Sequence, residues 1–256
     1  MAIEIKNRDE IQRMREAGRI NVEVLMAMRA AVRPGIATAQ LDRIAADILD
    51  KRGAKAAFLG HPKGDRHPFP ATITVCVNHE LVHGIPSHHR KLAEGDLVSL
   101  DCGTIYKGFV ADSAFSMAVG QASSEVYRLL DVTEQSLYVG VDACIAGKRI
   151  GDIGYAIQRY VESCGYRVVR EYGGHGVGRN MWEEPHIPNH GQPGKGVQLK
   201  SGMTFALEPM VMPGDPTTKK LNDHWTVVMA DGGLSCHWEH TVAVSENGPE
   251  ILTKWE

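Results

Sequence analysis

Apolar residues recur at helical spacing from the start of the chain. Ile11, Met14, Gly18, Val22, Leu25 and Val32 keep one stripe, so the first thirty residues are predicted as a helix. Asn7 with Glu10 three residues later forms a capping-box-like start, and Arg33-Pro34-Gly35 ends the element. Thr38 is predicted to cap a second helix with one face of Leu41, Ile44, Ala45, Ile48 and Leu49, closed by Gly53. The pattern then turns extended at Ala71–Val77, Leu97–Thr104 and Phe109–Val119. After Gly120 the order repeats. Ser123 or Ser124 opens a helix to about Ala146, and another runs from about Ile150 to Cys164, stopped by Gly165. Extended segments follow at Arg167–Glu171, Thr204–Val211, Trp225–Met229 and Thr241–Val244. Two helices and then strands, twice over, predict two halves of related architecture around one core. No long polar linker divides them, so residues 1–256 are expected to form a single α/β domain of the α+β type.

Composition narrows the class of function. Lys+Arg 28 against Asp+Glu 31 gives a net charge of −3, too balanced for a dedicated nucleic-acid or anionic-membrane binder. No basic segment followed by an apolar run opens the chain, and no stretch of about 18 apolar residues occurs, so a cytoplasmic protein is expected. The five cysteines, at 76, 102, 144, 164 and 236, make no C-x-x-C and lie among apolar or small residues. They are expected as reduced, buried thiols rather than as disulfides or a zinc cage. The 27 Gly and 12 Pro are unevenly spread, and their clusters predict several ordered loops meeting at a site.

Candidate chemistry begins with Asp101 and Asp112, each interrupting strand-like sequence. A reversal at Tyr106-Lys107, with Gly108 following, would set them directly opposite on adjacent antiparallel strands. Carboxylates that close repel, and one pKa rises unless a cation or proton lies between them. The hairpin alone equally admits two solvent-facing Asp residues. His175 sits in Gly173-Gly174-His175-Gly176-Val177-Gly178, where small neighbours allow close approach. Glu208 stands in an apolar strand, where a carboxylate is expensive unless paired, and Glu239 stands at the edge of another. Two Asp, two Glu and one His make a hard, oxygen-rich set suited to Mn, Fe, Co or Zn with bridging carboxylates. The glycine spacing matches neither a dinucleotide fingerprint nor a P-loop, and no G-x-S-x-G elbow occurs. His83, flanked by turn residues, is expected to point into a cleft, whereas His186 and His190 read as a loop rim and His88-His89-Arg90 as a solvated loop.

Taken in order, His83-Gly84-Ile85-Pro86, Asp101 with Asp112, Gly174–Gly178, Glu183-Glu184-Pro185, Phe205–Met210 and Glu239-His240-Thr241 resemble the type I methionine aminopeptidases, over nearly the whole chain. The match is to the short bacterial or organellar form, without a zinc-finger extension or the long insertion of type II enzymes between His175 and Glu208. The resemblance implies a pita-bread fold, two pseudo-symmetric helix-strand halves around a central curved antiparallel sheet. It implies two divalent ions (Co, Mn, Fe or Zn): Asp101 on one, His175 and Glu208 on the other, Asp112 and Glu239 bridging. A metal-bridging water would then attack the first peptide carbonyl of nascent proteins and peptides that begin with Met and have a small second residue. Glu208 would carry the proton, His83 would hydrogen-bond substrate or the developing intermediate, and Phe69, Thr74, Tyr172, Met181 and Trp225 would form the methionine pocket. A monomer is implied, with ribosome association allowed and no nucleic-acid or membrane binding of its own.

One position departs from the pattern. Seven residues after the metal His, where the family commonly has a second histidine near the scissile bond, this chain has Trp182. An indole N–H donates a hydrogen bond but cannot shuttle a proton, which implies altered rate, substrate contacts or second-residue preference. Phe69 likewise replaces a frequent Tyr. Two other readings compete: an X-Pro aminopeptidase or creatinase-like hydrolase, which carries a large extra N-terminal domain, and a catalytically silent binder of the same fold, which would have lost metal ligands.

Overall fold

Asn7 accepts the backbone N–H of Glu10 at 3.0 Å, and Glu10 accepts that of Asn7 at 2.9 Å. Helix α1 (Arg8–Ala31) therefore starts where the capping box puts it. The computed structural model describes residues 2–255. Its α2 (Thr38–Lys51) begins one residue before the expected cap, on Ala37. Thr38 is not the cap: its hydroxyl instead donates to the Ser87 carbonyl at 3.1 Å and accepts the Ser87 N–H at 2.8 Å. Strands β1 (Lys55–Ala56), β2 (Thr74–Val77), β3 (Glu80–Val82), β4 (Leu97–Tyr106) and β5 (Phe109–Ala118) complete the first half.

The second half repeats the order. Helix α3 (Ser124–Asp142) is capped by Ser123, which accepts the Val126 N–H, and α4 (Ile150–Ser163) follows. Then come β6 (Arg167–Val168), β7 (Gly173–Gly176), β8 (Glu183–Pro188), β9 (Thr204–Leu207), β10 (Met210–Met212), β11 (Thr218–Lys220), β12 (Val227–Met229), β13 (Cys236–His237), β14 (His240–Ser245) and β15 (Gly248–Ile251). Strands β7 and β8 lie outside the expected extended segments, as do the short β1, β3, β11, β13 and β15; in β7, Gly173-Gly174-His175-Gly176 has no β-propensity. Close packing explains the glycines. A Cβ on Gly174 would overlap the Ala206 carbonyl, and one on Gly176 the Glu184 carbonyl.

The long hairpin is where register matters. β4 and β5 pair from Leu97↔Ala118 to Tyr106↔Phe109. Lys107 (φ 48°) and Gly108 (φ 79°) form the two-residue turn, both left-handed as a type I′ turn requires. The reversal thus falls one residue later than expected. Asp112 pairs with Gly103 and Asp101 with Ala114, so the two carboxylates are diagonal rather than direct neighbours, still on one face. β1 and β2 line the other edge of β4. In the second half the order β15-β14-β9-β7-β8 makes a five-stranded antiparallel sheet, with smaller sheets β13-β10-β6 and β11-β12-β3 beside it.

Each half has its own apolar core beneath a helix pair. Leu25, Met28, Leu41, Val98, Leu100 and Phe115 cluster in the first. Leu137, Ile153, Ile157, Phe205, Leu207 and Val242 cluster in the second. The halves meet at an isolated bridge in which the Glu239 N–H donates to the Ala114 carbonyl at 2.9 Å. One turn along, Thr241 Oγ1 both accepts the Asp112 N–H and donates to the Asp112 carbonyl, each at 2.8 Å. The five cysteines are free, and all but the half-buried Cys164 are buried. Among the described residues no helix is long and apolar enough to cross a membrane.

The buried face of α1 runs Met14, Ala17, Gly18, Asn21, Val24, Leu25 and Met28, leaving Val22 at its margin and a polar residue at its centre. Asn21 Nδ2 donates to the carbonyl of Cys102, to Thr104 Oγ1 at 3.2 Å and to the Ala111 carbonyl at 3.3 Å; its Oδ1 accepts from Ser113 Oγ at 2.5 Å. It therefore fastens the helix to both strands of the Asp101–Asp112 hairpin. Asn21→Ala should destabilise the protein by about 2–3 kcal/mol, because buried partners are left unpaired. A lower urea midpoint at unchanged m-value is the expected reading, and an unshifted midpoint would refute the role.

Candidate metal centre

Strand alternation and one interruption aim the carboxylates inward. Asp101 and Asp112 share the inner face of the β4–β5 hairpin, and Thr74 on β2 hydrogen-bonds Asp101 Oδ2 at 3.4 Å. Glu208 sits where β9 gives way to β10, and Pro209, with no N–H to donate, breaks the ladder there. Asn189 Nδ2 holds the Glu208 carbonyl at 2.9 Å. The expected continuous strand Thr204–Val211 is thus two strands with the Glu208 carboxylate at the break. Glu239 lies on the seam between the halves, and His175 projects from β7.

These five side chains converge. Ligand atoms of Asp112, His175 and Glu239 all lie within 4.8 Å of one another. His175 Nε2 is 3.6 Å from Glu208 Oε1 and 3.8 Å from Asp112 Oδ2. His175 Nδ1 is 2.9 Å from the Gly176 carbonyl, which can only accept, so Nδ1 carries the proton. In the neutral ring, Nε2 is then a bare lone pair aimed at carboxylates. Asp101 Oδ1, Asp112 Oδ1 and Glu239 Oε1 are buried with no hydrogen-bond partner. Lone pairs facing lone pairs at these separations fit divalent metal.

The electrostatics agree. The four carboxylates are only 2–9% exposed. Burial, reinforced by the Glu208 charge, pushes Asp101 up to about 7; burial pushes Glu208 up to about 7. Asp112 and Glu239 are also raised well above the usual carboxylate range, by burial first and then by each other's neighbours. Burial lowers His83 to about 4, keeping it neutral.

A cleft of about 280 Å³ opens over this cluster, lined by Phe58, Phe69, Val82, His83, Met181 and Trp225 among others. Phe69 stands edge-on to Phe58 at 6.3 Å and to Trp225 at 5.2 Å. The Trp225 N–H donates to the His67 carbonyl at 2.9 Å, which fixes its indole. His83 reaches the cleft from a left-handed backbone (φ 61°), a strained conformation for a residue with a Cβ. Tyr172 is not among the residues that line the cleft; its ring stands edge-on to His83 at 6.3 Å. Trp182 lies at the mouth, 38% exposed, tilted against the His61 ring at 4.2 Å. His186 lies exposed on β8 rather than in a loop, and His190 follows that strand; neither lines the cleft.

Phe58, His61, Pro62, Val82 and His237 line the same cleft but were not read from the sequence. His237 had a legible signal: it stands two residues before Glu239 in extended chain, hence on the same face. Phe58 and His61 had none, because only the folding of an irregular loop brings them there.

Removal of metal should be visible in stability. Carboxyls with raised folded-state pKa hold protons that the unfolded chain has already released, so folding stability falls as pH rises from about 4 through about 7. A bound divalent cation cancels that loss. The melting-temperature difference between metal-loaded and chelator-stripped protein should therefore widen from pH 5 to pH 8. A constant difference would contradict the convergence of charge.

The chain matches metallopeptidase family M24 over residues 12–246. It is 48% identical to a methionine aminopeptidase of Clostridium acetobutylicum over 252 residues, 98% of this chain and 99% of that one. Methionine aminopeptidase 1 of Bacillus subtilis is 46% identical, covering 96% of each. The crystal structure of methionine aminopeptidase from Thermotoga maritima superposes with a TM-score of 0.96 at 40% identity, over 99% of this chain and 100% of that one. Prolidase from Pyrococcus furiosus, at 22% identity and a TM-score of 0.79 over 98% of this chain and 66% of that one, shares the fold. With its doubled helix-strand order, its pita-bread architecture and its buried histidine-carboxylate cluster, the chain belongs to metallopeptidase family M24.

Proposed function

We propose that this chain is a metal-dependent methionyl aminopeptidase, a single catalytic domain that removes the first Met of nascent proteins and peptides whose second residue is small. The observation that carries the reading is the bare His175 Nε2 facing Asp112 and Glu208 at 3.8 and 3.6 Å beneath an aromatic, apolar cleft. The donor set would hold two divalent ions: Asp101 would serve one, His175 and Glu208 the other, and Asp112 and Glu239 would serve both. When bound, such ions polarise a carbonyl and acidify water.

The remaining work belongs to side chains. Phe69, Met181 and Trp225 enclose an unbranched thioether chain, which favours Met over branched residues. Thr74 steadies Asp101, and Tyr172 acts by supporting the His83 ring. Glu208, between the cluster and the cleft, accepts the proton of the attacking water and returns it to the leaving amine. His83 donates a hydrogen bond to the carbonyl oxygen as charge develops there. Trp182 presents its indole to the residues beyond the scissile bond, where a donor that cannot move protons replaces the family's second histidine. We place this activity in the cytoplasm, in a monomer that meets chains at or after the ribosome.

Metal-reconstituted protein should release Met from Met-Ala-Ser, and not Leu from Leu-Ala-Ser. Chelator and Asp112→Asn should each abolish release. Failure with Mn, Fe, Co and Zn alike would favour a silent peptide binder. Trp182→His should change kcat/KM, or the preference among second residues, by at least about threefold; unchanged kinetics would remove Trp182 from the catalytic account.

A further inference from the structure

His237 lines the cleft beside the metal set without belonging to it. It is 3% exposed, and its Nε2 has no hydrogen-bond partner. Buried ring nitrogens normally have one. This nitrogen lies 3.5 Å from Glu208 Oε2 and 3.9 Å from Glu239 Oε2. Its backbone is clamped. Ser116 Oγ donates to the His237 carbonyl at 2.7 Å and accepts its N–H at 3.2 Å, while Ser99 Oγ lies 2.6 Å from Ser116 Oγ. Met210 pairs with it across β10 and β13. The ring is therefore delivered to this spot by both halves of the molecule.

Glu208 stands between two imidazoles, one on each oxygen. They are not equivalent. His175 presents a bare lone pair to Oε1, so that side can be joined only through a cation. An N–H on His237 Nε2 is a donor that needs to close only a few tenths of an ångström to reach Oε2. Building on the metal-centre reading above, we propose that His237 is a positioning residue. Its Nε2–H holds Glu208 Oε2 and so turns Oε1 toward the cation shared with His175. Partners of ligating carboxylates in such positions typically change metal affinity or activity by about 10–100-fold when removed.

The test compares wild type, His237→Phe and His237→Gln, each chelator-stripped and titrated with Mn(II) by calorimetry and with Co(II) by absorption. Steady-state kinetics on Met-Ala-Ser run alongside. The Phe variant should weaken one of the two sites by about 10–100-fold while the other stays near wild type. Its kcat should fall, with KM changed less than about threefold. Gln, whose amide N–H can reach the same oxygen, should restore affinity to within about threefold. Where Phe fails to fold, Asn, too short to reach, replaces it in the comparison with Gln. Wild-type affinity in the Phe or Asn variant, or a Gln variant no better than either, would overturn the role of His237 alone. Wild-type protein that binds no divalent cation would overturn the metal-centre reading together with it.

Discussion

Four buried carboxylates aimed at one point repel one another, and the rest of the structure is arranged to hold them there. Nothing in a carboxylate cluster favours its own assembly: burial raises all four pKa values, and neighbouring carboxylate charge raises those of Asp101, Asp112 and Glu239 further. Two apolar cores, one under each helix pair, supply the driving force that the cluster opposes. Rigid backbone then fixes the geometry. Asp101 and Asp112 ride on a hairpin of two ten-residue strands stapled by Asn21, Glu239 is tied to Ala114, and Glu208 is held through its carbonyl by Asn189. A cation of charge +2 turns this repulsion into attraction, so the ligand that catalysis needs also relieves the fold.

The same logic accounts for the polar residues inside the protein. Asn21, Ser99, Ser116, Thr241 and Thr253 are each 4% exposed or less, and each hydrogen-bonds backbone or another side chain near the cluster. Their hydroxyls and amide bridge elements from different parts of the chain. Apolar residues of similar size would fill the space but leave the strands free to slide.

Much of this was legible in the sequence where local rules decide. The capping box at Asn7, the helix stops at Gly53 and Gly165, and the two-on-two element order came directly from spacing. The Asp101–Asp112 hairpin was legible, but its turn falls one residue later and its pairing therefore shifts by two: the demand for two left-handed residues selects Lys107-Gly108, which spacing alone did not resolve. The glycine strand β7 was hidden because its conformation is imposed by carbonyls that cross it from Ala206 and Glu184. Five of the site residues came from motifs in a known order. His237 stands outside those motifs: its spacing from Glu239 marks its face, but its importance depends on where the Glu208 carboxylate ends up. Tyr172 shows the converse, a residue of the right type that contacts the lining residue His83 rather than lining the cleft itself.

The bridge between Ala114 and Glu239 has a consequence for how the molecule is born. One ligand pair arrives on β4 and β5, another on β7 and at the end of β9, and Glu239 is the last of the set in chain order. No fragment that ends before residue 239 can complete the cluster. A growing chain therefore passes through most of its length as a structure without a metal site, and the centre closes in one late step.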